Sequence, residues 1–154
     1  MADATQAKQP VTAEVDGNRL TLLPEGPERL EALVALIDGA GESLRILYYI
    51  FLDDESGTRV RDALIAAAGR GVTVSLLVDG FGATSNSDFF KPLLDAGASF
   101  CRFSPHWGRR YLLRNHQKLA LADGRKVIIG GFNVSDDYFG TAETQAWRDV
   151  GLEV

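Results

Sequence analysis

Residues 114–133 run RNHQKLALADGRKVIIGGFN, and the fold follows from the way polar groups punctuate this apolar stretch. His116, Lys118, Asp123 and Asn133 stand at fixed offsets: H-x-K, four residues, D, six residues, then G-G-x-N. Side chains alternate between the two faces of a strand. As a strand over 116–122, the stretch puts His116 and Lys118 on one face and points Leu119 and Leu121 the other way, into a core. Asp123-Gly124 is a two-residue hairpin signal of the kind that favours a type I′ turn, and 126–129 is the returning strand. Gly130-Gly131 lets the backbone turn sharply or approach a ligand closely. Asn133 then emerges at the strand end near His116 and Lys118.

An imidazole, an ammonium and a carboxamide gathered at one edge suit a phosphodiester. Lysine offers a compact positive charge to phosphate oxygens, and asparagine offers N–H donors to the same oxygens. A neutral imidazole can attack phosphorus, with a phosphoryl-histidine as the covalent intermediate. Charge developing on the transferring phosphoryl group calls for cationic clamps. Taken singly, each residue is an ordinary strand, turn or cap residue. It is their fixed offsets around two apolar strands that carry the signal.

The pattern resembles the phospholipase D superfamily, the HKD enzymes, and within it the cardiolipin synthase-like branch. Three flanking phrases share the likeness: Tyr48-Tyr49-Ile50-Phe51, Arg114-Asn115-His116 and Trp147-Arg148-Asp149. The resemblance implies a phospholipase D-like α/β domain and a phosphatidyltransferase or phosphodiesterase working through a phosphoryl-histidine, with no cofactor and no metal. His116 is then the nucleophile or its acid partner, and Lys118 and Asn133 are phosphate clamps. Asp123 is the motif aspartate, expected to organise the hairpin more than to touch phosphorus. Asp149 is the first candidate for the carboxylate that orients the histidine ring, and Glu143 the second. Many members carry Gly-Ser where this chain has Gly130-Gly131, so a hydroxyl is missing; the glycine is a mark of the branch.

Enzymes of this kind join two motifs at one site, in one chain or across a homodimer. This chain holds one H-x-K and stops within an apparent strand at Gly151-Leu152-Glu153-Val154. The resemblance therefore implies the first half of a two-motif enzyme. The alternatives are a homodimeric single-motif phosphodiesterase or nuclease, and an inactive phosphate-binding or assembly module. A half-domain is expected to expose a partly apolar surface where its partner docks.

Outside the motif the chain alternates strand and helix. The segment 18–23 is a short strand. Leu30, Leu33, Val34 and Ile37 recur at helical spacing, with Pro27 in the first turn. The run 44–52 is a buried strand, Ser56 or Thr58 caps the next helix, and 72–78 is a second buried strand, giving a right-handed βαβ unit. In such sheets the loops beyond the strand ends form the site, and Asp79-Gly80-Phe81-Gly82 is one of these loops. Asn86 and its neighbours offer caps for a helix over Phe89 to Leu94, the segment 99–103 is a strand, a helical turn follows Asn133, and Trp147 onward forms the last strand. The expected whole is a mixed, mainly parallel sheet flanked by helices, with residues 1–17 a flexible leader and 18–154 the domain.

A chain of 154 residues, 45% of them hydrophobic, can bury one real core. Its single cysteine, Cys101, excludes an internal disulfide and reads as a buried small residue. No run approaches the roughly eighteen apolar residues of a membrane helix, and the start lacks the pattern of a secretion signal. The expected location is cytoplasmic or peripheral on the cytoplasmic membrane. The net charge of −5 argues against nucleic acid as a partner. Yet no acidic residue lies between Asp95 and Asp123, where Arg102, Arg109, Arg110, Arg114, Lys118, His106 and His116 gather. Such a patch binds an anion, and phospholipid head groups such as phosphatidylglycerol on an anionic membrane surface are the expected partners. The aromatic and basic loop 105–113, with Trp107 and Arg109, is either a core-packed loop whose arginines face water or an element that faces lipid.

Overall fold

The computed structural model describes residues 11–83, 86–104, 115–141 and 143–154; the basic loop with His106, Trp107, Arg109, Arg110 and Arg114 lies outside them. Eight strands form one sheet: β1 (Thr12–Val15), β2 (Asn18–Leu23), β3 (Ser43–Tyr48), β4 (Thr73–Asp79), β5 (Ser99–Phe103), β6 (Leu119–Ala122), β7 (Lys126–Gly130) and β8 (Gly151–Glu153). Their order across the sheet is β1-β2-β8-β7-β6-β3-β4-β5. Between them run α1 (Gly26–Asp38), α2 (Glu55–Gly69), a 3₁₀ turn (Ser87–Phe90) leading into α3 (Lys91–Asp95), and the short α4 (Asp136–Phe139).

The sheet is mixed and carries helices, as expected, but it is not mainly parallel. Only β3–β4 and β4–β5 are parallel pairs, while the five other pairings are antiparallel. The β3-α2-β4 crossover makes the parallel part. The hairpins and the return of β8 between β2 and β7 make the rest, and that return is a long-range choice no local pattern announces. The expected leader also contributes: β1 pairs with β2 from Thr12 to Val15. All four of its residues are exposed, so there is no apolar alternation by which to read it.

One sheet face is buried under helices. Leu33 and Ile37 of α1 and Val60 and Leu64 of α2 pack over Leu44 and Ile46 of β3 and Val74 and Leu76 of β4 in a continuous core. At about 1.5–3 kcal/mol for each large apolar side chain fully buried, this layer dominates the fold's stability. The residues of β6 that face it are Ala120 and Ala122, both buried. Leu119 and Leu121 lie on the opposite face and are only half-buried, contrary to the sequence expectation. Alternation defines two faces without saying which one a helix covers, and here the small residues sit under the helices.

On that opposite face one register row crosses six strands: Leu22, Leu152, Ile129, Leu119, Leu47 and Leu77. Cys101 continues it and is exposed rather than buried, because no described helix covers this side of β5. Leu22 and Ile129 are 37% and 41% exposed. The row is thus partly open to solvent among the described residues, the kind of apolar surface that suits an interface.

The turn chemistry follows the sequence closely at the hairpin. Asp123 and Gly124 both have positive φ, 54° and 65°, and Arg125 N–H closes the turn on the Ala122 carbonyl at 3.0 Å, the type I′ pattern. Pro27 falls in the first turn of α1. The cap of α2 differs from expectation: Asp54, not Ser56 or Thr58, accepts from Gly57 N–H at 2.8 Å. Its other oxygen accepts from Asp136 N–H at 2.9 Å, and Asp136 in turn accepts from Ser56 N–H at 2.8 Å. The two helix starts thus cap each other.

Candidate active site

Strand β6 runs antiparallel to β3 and to β7, so its entry lies beside their exits. Residues 115–118, Tyr49–Leu52 and Gly130–Asn133 therefore leave the sheet at one end. That is why His116, Lys118 and Asn133 come together although they span 18 positions of sequence.

His116 is exposed, and its imidazole stacks on the Tyr49 ring with centroids 3.9 Å apart and planes 23° from parallel. Lys118 is half-buried. Its ammonium donates to the His116 carbonyl at 2.7 Å and stands 5.7 Å from the Tyr49 ring centroid. Desolvation pulls the Lys118 pKa below the ordinary lysine value, and the negative charge of Asp149 opposes that shift. Asn133 is buried at 3% exposure. Its side-chain oxygen accepts from Ile50 N–H at 3.0 Å, so the amide oxygen is spent on backbone and the amino group is the end available to a ligand. Val134 N–H donates to the Ile50 carbonyl and Leu52 N–H to the Val134 carbonyl, locking the two exits together. Beside these groups lies an open hollow of about 660 Å³, walled by His116, Lys118 and Gly131 and by Leu22, Ile129 and Leu152 of the uncovered sheet face.

Asp149 arrives just before β8. Its carboxylate occupies the space a side chain at 131 would need: a Cβ built on Gly131 meets Asp149 oxygens. The glycine at 131 makes room for this carboxylate. Asp149 accepts from Val150 N–H at 2.7 Å; it is near enough to act on Lys118 but makes no hydrogen bond to the imidazole. Among the described residues nothing hydrogen-bonds the His116 ring. Glu143 is exposed in the turn before β8, without a described partner.

Asp123 is at the other end of β6, with the whole strand between it and His116. Its carboxylate accepts from the N–H groups of Gly41, Glu42 and Ser43 at 3.0, 2.8 and 2.8 Å, anchoring the α1–β3 loop. These donors, Gly41 first, hold its pKa below the ordinary value of 3.8. A depressed carboxylate stabilises the fold above the unfolded-state pKa and loses that contribution as pH falls through the folded one. Asp123→Asn is therefore expected to melt below the parent at pH 7, with the gap closing as pH drops below about 4. Thermal scans across pH 2–7 check this; a gap that stays constant over the range would refute it.

Two residues at the site escaped sequence reasoning. Asp79 ends β4 almost fully buried, at 1% exposure. It accepts from Phe81 N–H at 2.9 Å and from Asn115 N–H at 3.1 Å, fixing the backbone immediately before His116. The only signal was its place in a loop beyond a strand end. Tyr49 was visible only as part of an aromatic phrase. Among the described residues no group of three or more His, Cys, Asp and Glu side chains is close enough to hold a metal ion.

Comparison with known proteins adds to this geometry. The family model described as cardiolipin synthase, PLD-like domain, matches residues 33–146. Cardiolipin synthase 1 of Bacillus anthracis is 37% identical over 145 residues, covering 90% of this chain and 28% of that protein. The major cardiolipin synthase ClsA of Bacillus subtilis is 36% identical over 145 residues, covering 90% and 30%. The chain spans less than a third of the length of these curated relatives. Among solved structures, NucT from Helicobacter pylori superposes with a TM-score of 0.69 at 23% identity, covering 87% of this chain and 83% of that one. Phosphatidylserine synthase from Haemophilus influenzae gives 0.70 at 16% identity, covering 96% and 35%. At these identities the structural likeness is one of fold.

Proposed function

This chain belongs to the cardiolipin synthase, PLD-like domain family, and on that premise we propose that it carries one half-site of a cardiolipin synthase-type phosphatidyltransferase. The observation that carries the reading is that His116 and Lys118 stand on the wall of one hollow whose other wall is apolar, with Asn133 tied through Ile50 to the same β3 exit that carries Tyr49. A phosphate group finds donors there, and the adjoining leucines suit the lipid attached to it.

In the proposed reaction an imidazole nitrogen of His116 attacks the phosphorus of phosphatidylglycerol. The N–P bond forms as the P–O bond to glycerol breaks, and the departing alkoxide takes a proton from the histidine of a second motif. The acceptor alcohol, a second phosphatidylglycerol, then gives its proton to that histidine and attacks phosphorus, breaking the N–P bond. Lys118 and the Asn133 amino group hold the non-bridging oxygens as charge builds on them. Asp149 acts through its charge on Lys118 and is the nearest candidate to steady the ring when substrate arrives. Water in place of the acceptor alcohol makes the same site a hydrolase.

The second motif comes from a further half of a longer chain or from a second copy of this one, and the apolar row on the uncovered face is the surface suited to meet it. The alternative is a homodimeric single-motif phosphodiesterase, in which two copies of His116 meet at one site. The net charge of −5 weighs against a nucleic-acid substrate. No described helix is long and apolar enough to cross a membrane, and the proposed site works on head groups from the anionic membrane surface.

The test is incubation of the protein, alone and paired with a second motif-bearing half, with phosphatidylglycerol micelles. Cardiolipin is measured, His116-containing peptides are weighed for a phosphatidyl adduct, and sedimentation is run on the same sample. The expected result is cardiolipin formation in the two-motif assembly with the adduct on His116, both abolished by His116→Ala. Turnover that survives His116→Ala would overturn the proposal. Phosphate binding without turnover in every assembly would leave a phosphate-binding module instead.

A further inference from the structure

We propose that Tyr49 is a positioning residue for this half-site, setting the plane of the His116 imidazole and the place of the Lys118 ammonium with one aromatic face; the inference rests on the phosphatidyl-transfer reading above. The imidazole has no hydrogen-bonding partner among the described residues. Its described restraint is the Tyr49 ring, stacked at 3.9 Å and 23°. The same ring lies 5.7 Å from the Lys118 ammonium, within the reach of a cation–π attraction. Two of the three convergent polar groups are therefore spaced by a single side chain.

That side chain is itself held firmly. The preceding Tyr48 is buried at 1% exposure. The following Ile50 is fastened at both backbone groups, its N–H to the Asn133 side chain and its carbonyl to Val134 N–H. The Tyr49 carbonyl fills the space where Gly82 lacks a Cβ. The third polar group, Asn133, is tied to the same strap through Ile50, so the exit of β3 is the common frame of all three.

The chemical reason follows from the imidazole. The lone pair that attacks phosphorus lies in the ring plane, so a stacked neighbour that limits ring rotation keeps the lone pair swept along the sheet edge and away from the aromatic face. As the N–P bond forms the ring gains positive charge, which the face of an aromatic ring stabilises. A misplaced nucleophile is costly, since a displacement of about 1 Å can lower a rate about 10²-fold.

The experiment uses the two histidines of the chain, His106 and His116, whose ring protons are distinguishable by NMR once His106→Gln assigns them. The expected result is an upfield ring-current displacement of the His116 protons, lost in Tyr49→Leu and kept in Tyr49→Phe. In the two-motif assembly Tyr49→Leu is expected to slow formation of the His116 adduct by about 10- to 100-fold through kcat, with KM and the melting temperature nearly unchanged, and Tyr49→Phe is expected to restore the rate. An undisplaced His116 signal in the parent would overturn the stacking. A displaced signal with parent-like adduct formation in Tyr49→Leu would overturn the positioning role while leaving the transfer reading intact. A slow Tyr49→Phe variant would move the role from the ring to the hydroxyl and overturn the proposal as stated. A parent protein that forms no adduct even with both motifs present would defeat the transfer reading, and the positioning role with it, whatever the NMR signal.

Discussion

Arg29→Met is expected to destabilise the fold by about 3–5 kcal/mol, because it removes a buried cation that three carbonyls depend on. Arg29 sits in the first turn of α1 at 1% exposure. One terminal nitrogen donates to the Pro24 carbonyl at 2.7 Å and to the Asp149 carbonyl, and the other donates to the Tyr138 carbonyl at 2.7 Å. The guanidinium carbon lies 5.7 Å from the Phe132 ring centroid. One side chain thus binds the end of β2, the approach to β8 and α4 to a single point. Burial lowers its pKa and Asp149 opposes that, but a guanidinium stays charged. Methionine fills much of the same volume and donates nothing, leaving carbonyls orphaned at about 1–3 kcal/mol each. Arg29→Lys should recover little, since an ammonium on a shorter span does not reproduce the planar fork. Urea unfolding of the parent and both variants measures the effect. A loss under about 1 kcal/mol for Arg29→Met, the size of one ordinary hydrogen bond, would mean that the carbonyls find water or new partners.

Lys118→Met is expected to do the reverse: to lower phosphatidyl transfer by about 10²–10³-fold, the usual cost of removing one preorganised donor from a developing oxyanion, with little change in stability. Among the described residues its ammonium bonds only the His116 carbonyl, at a half-exposed position where such a bond contributes about 1 kcal/mol or less. The ammonium has further N–H donors to offer a phosphate oxygen, and partial desolvation at the edge of the hollow strengthens its field on that oxygen. The measurement is cardiolipin formation in the two-motif assembly, with thermal melting as the control. A variant that folds normally and transfers within threefold of the parent would remove Lys118 from the phosphate site. The contrast between the two predictions is physical. Arg29 spends its donors on protein carbonyls out of reach of solvent, whereas Lys118 keeps its charge where a ligand can use it.

Local sequence carried the hairpin, the helices and the chemical identity of the site. Asp123-Gly124 dictated a turn with two positive φ values, Pro27 and the leucine spacing dictated α1, and H-x-K with G-G-x-N pointed to phosphate chemistry. These rest on short-range sterics and on side-chain chemistry, which a residue carries wherever it folds. Tertiary structure decided what depends on partners distant in sequence. It set β8 between β2 and β7, making the sheet mainly antiparallel. It covered the alanine face of β6 and left Leu119 and Leu121 outside. It gave the turn residue Asp123 the task of holding the α1–β3 loop, because three N–H donors converge there from about eighty residues away. It also supplied Tyr49, Asp79 and Arg29, whose roles lie in contacts across the sheet. The residue types able to handle a phosphodiester could be read from the chain; which groups hold them in place could not, because that depends on burial and distance, and those exist only once the strands are ordered.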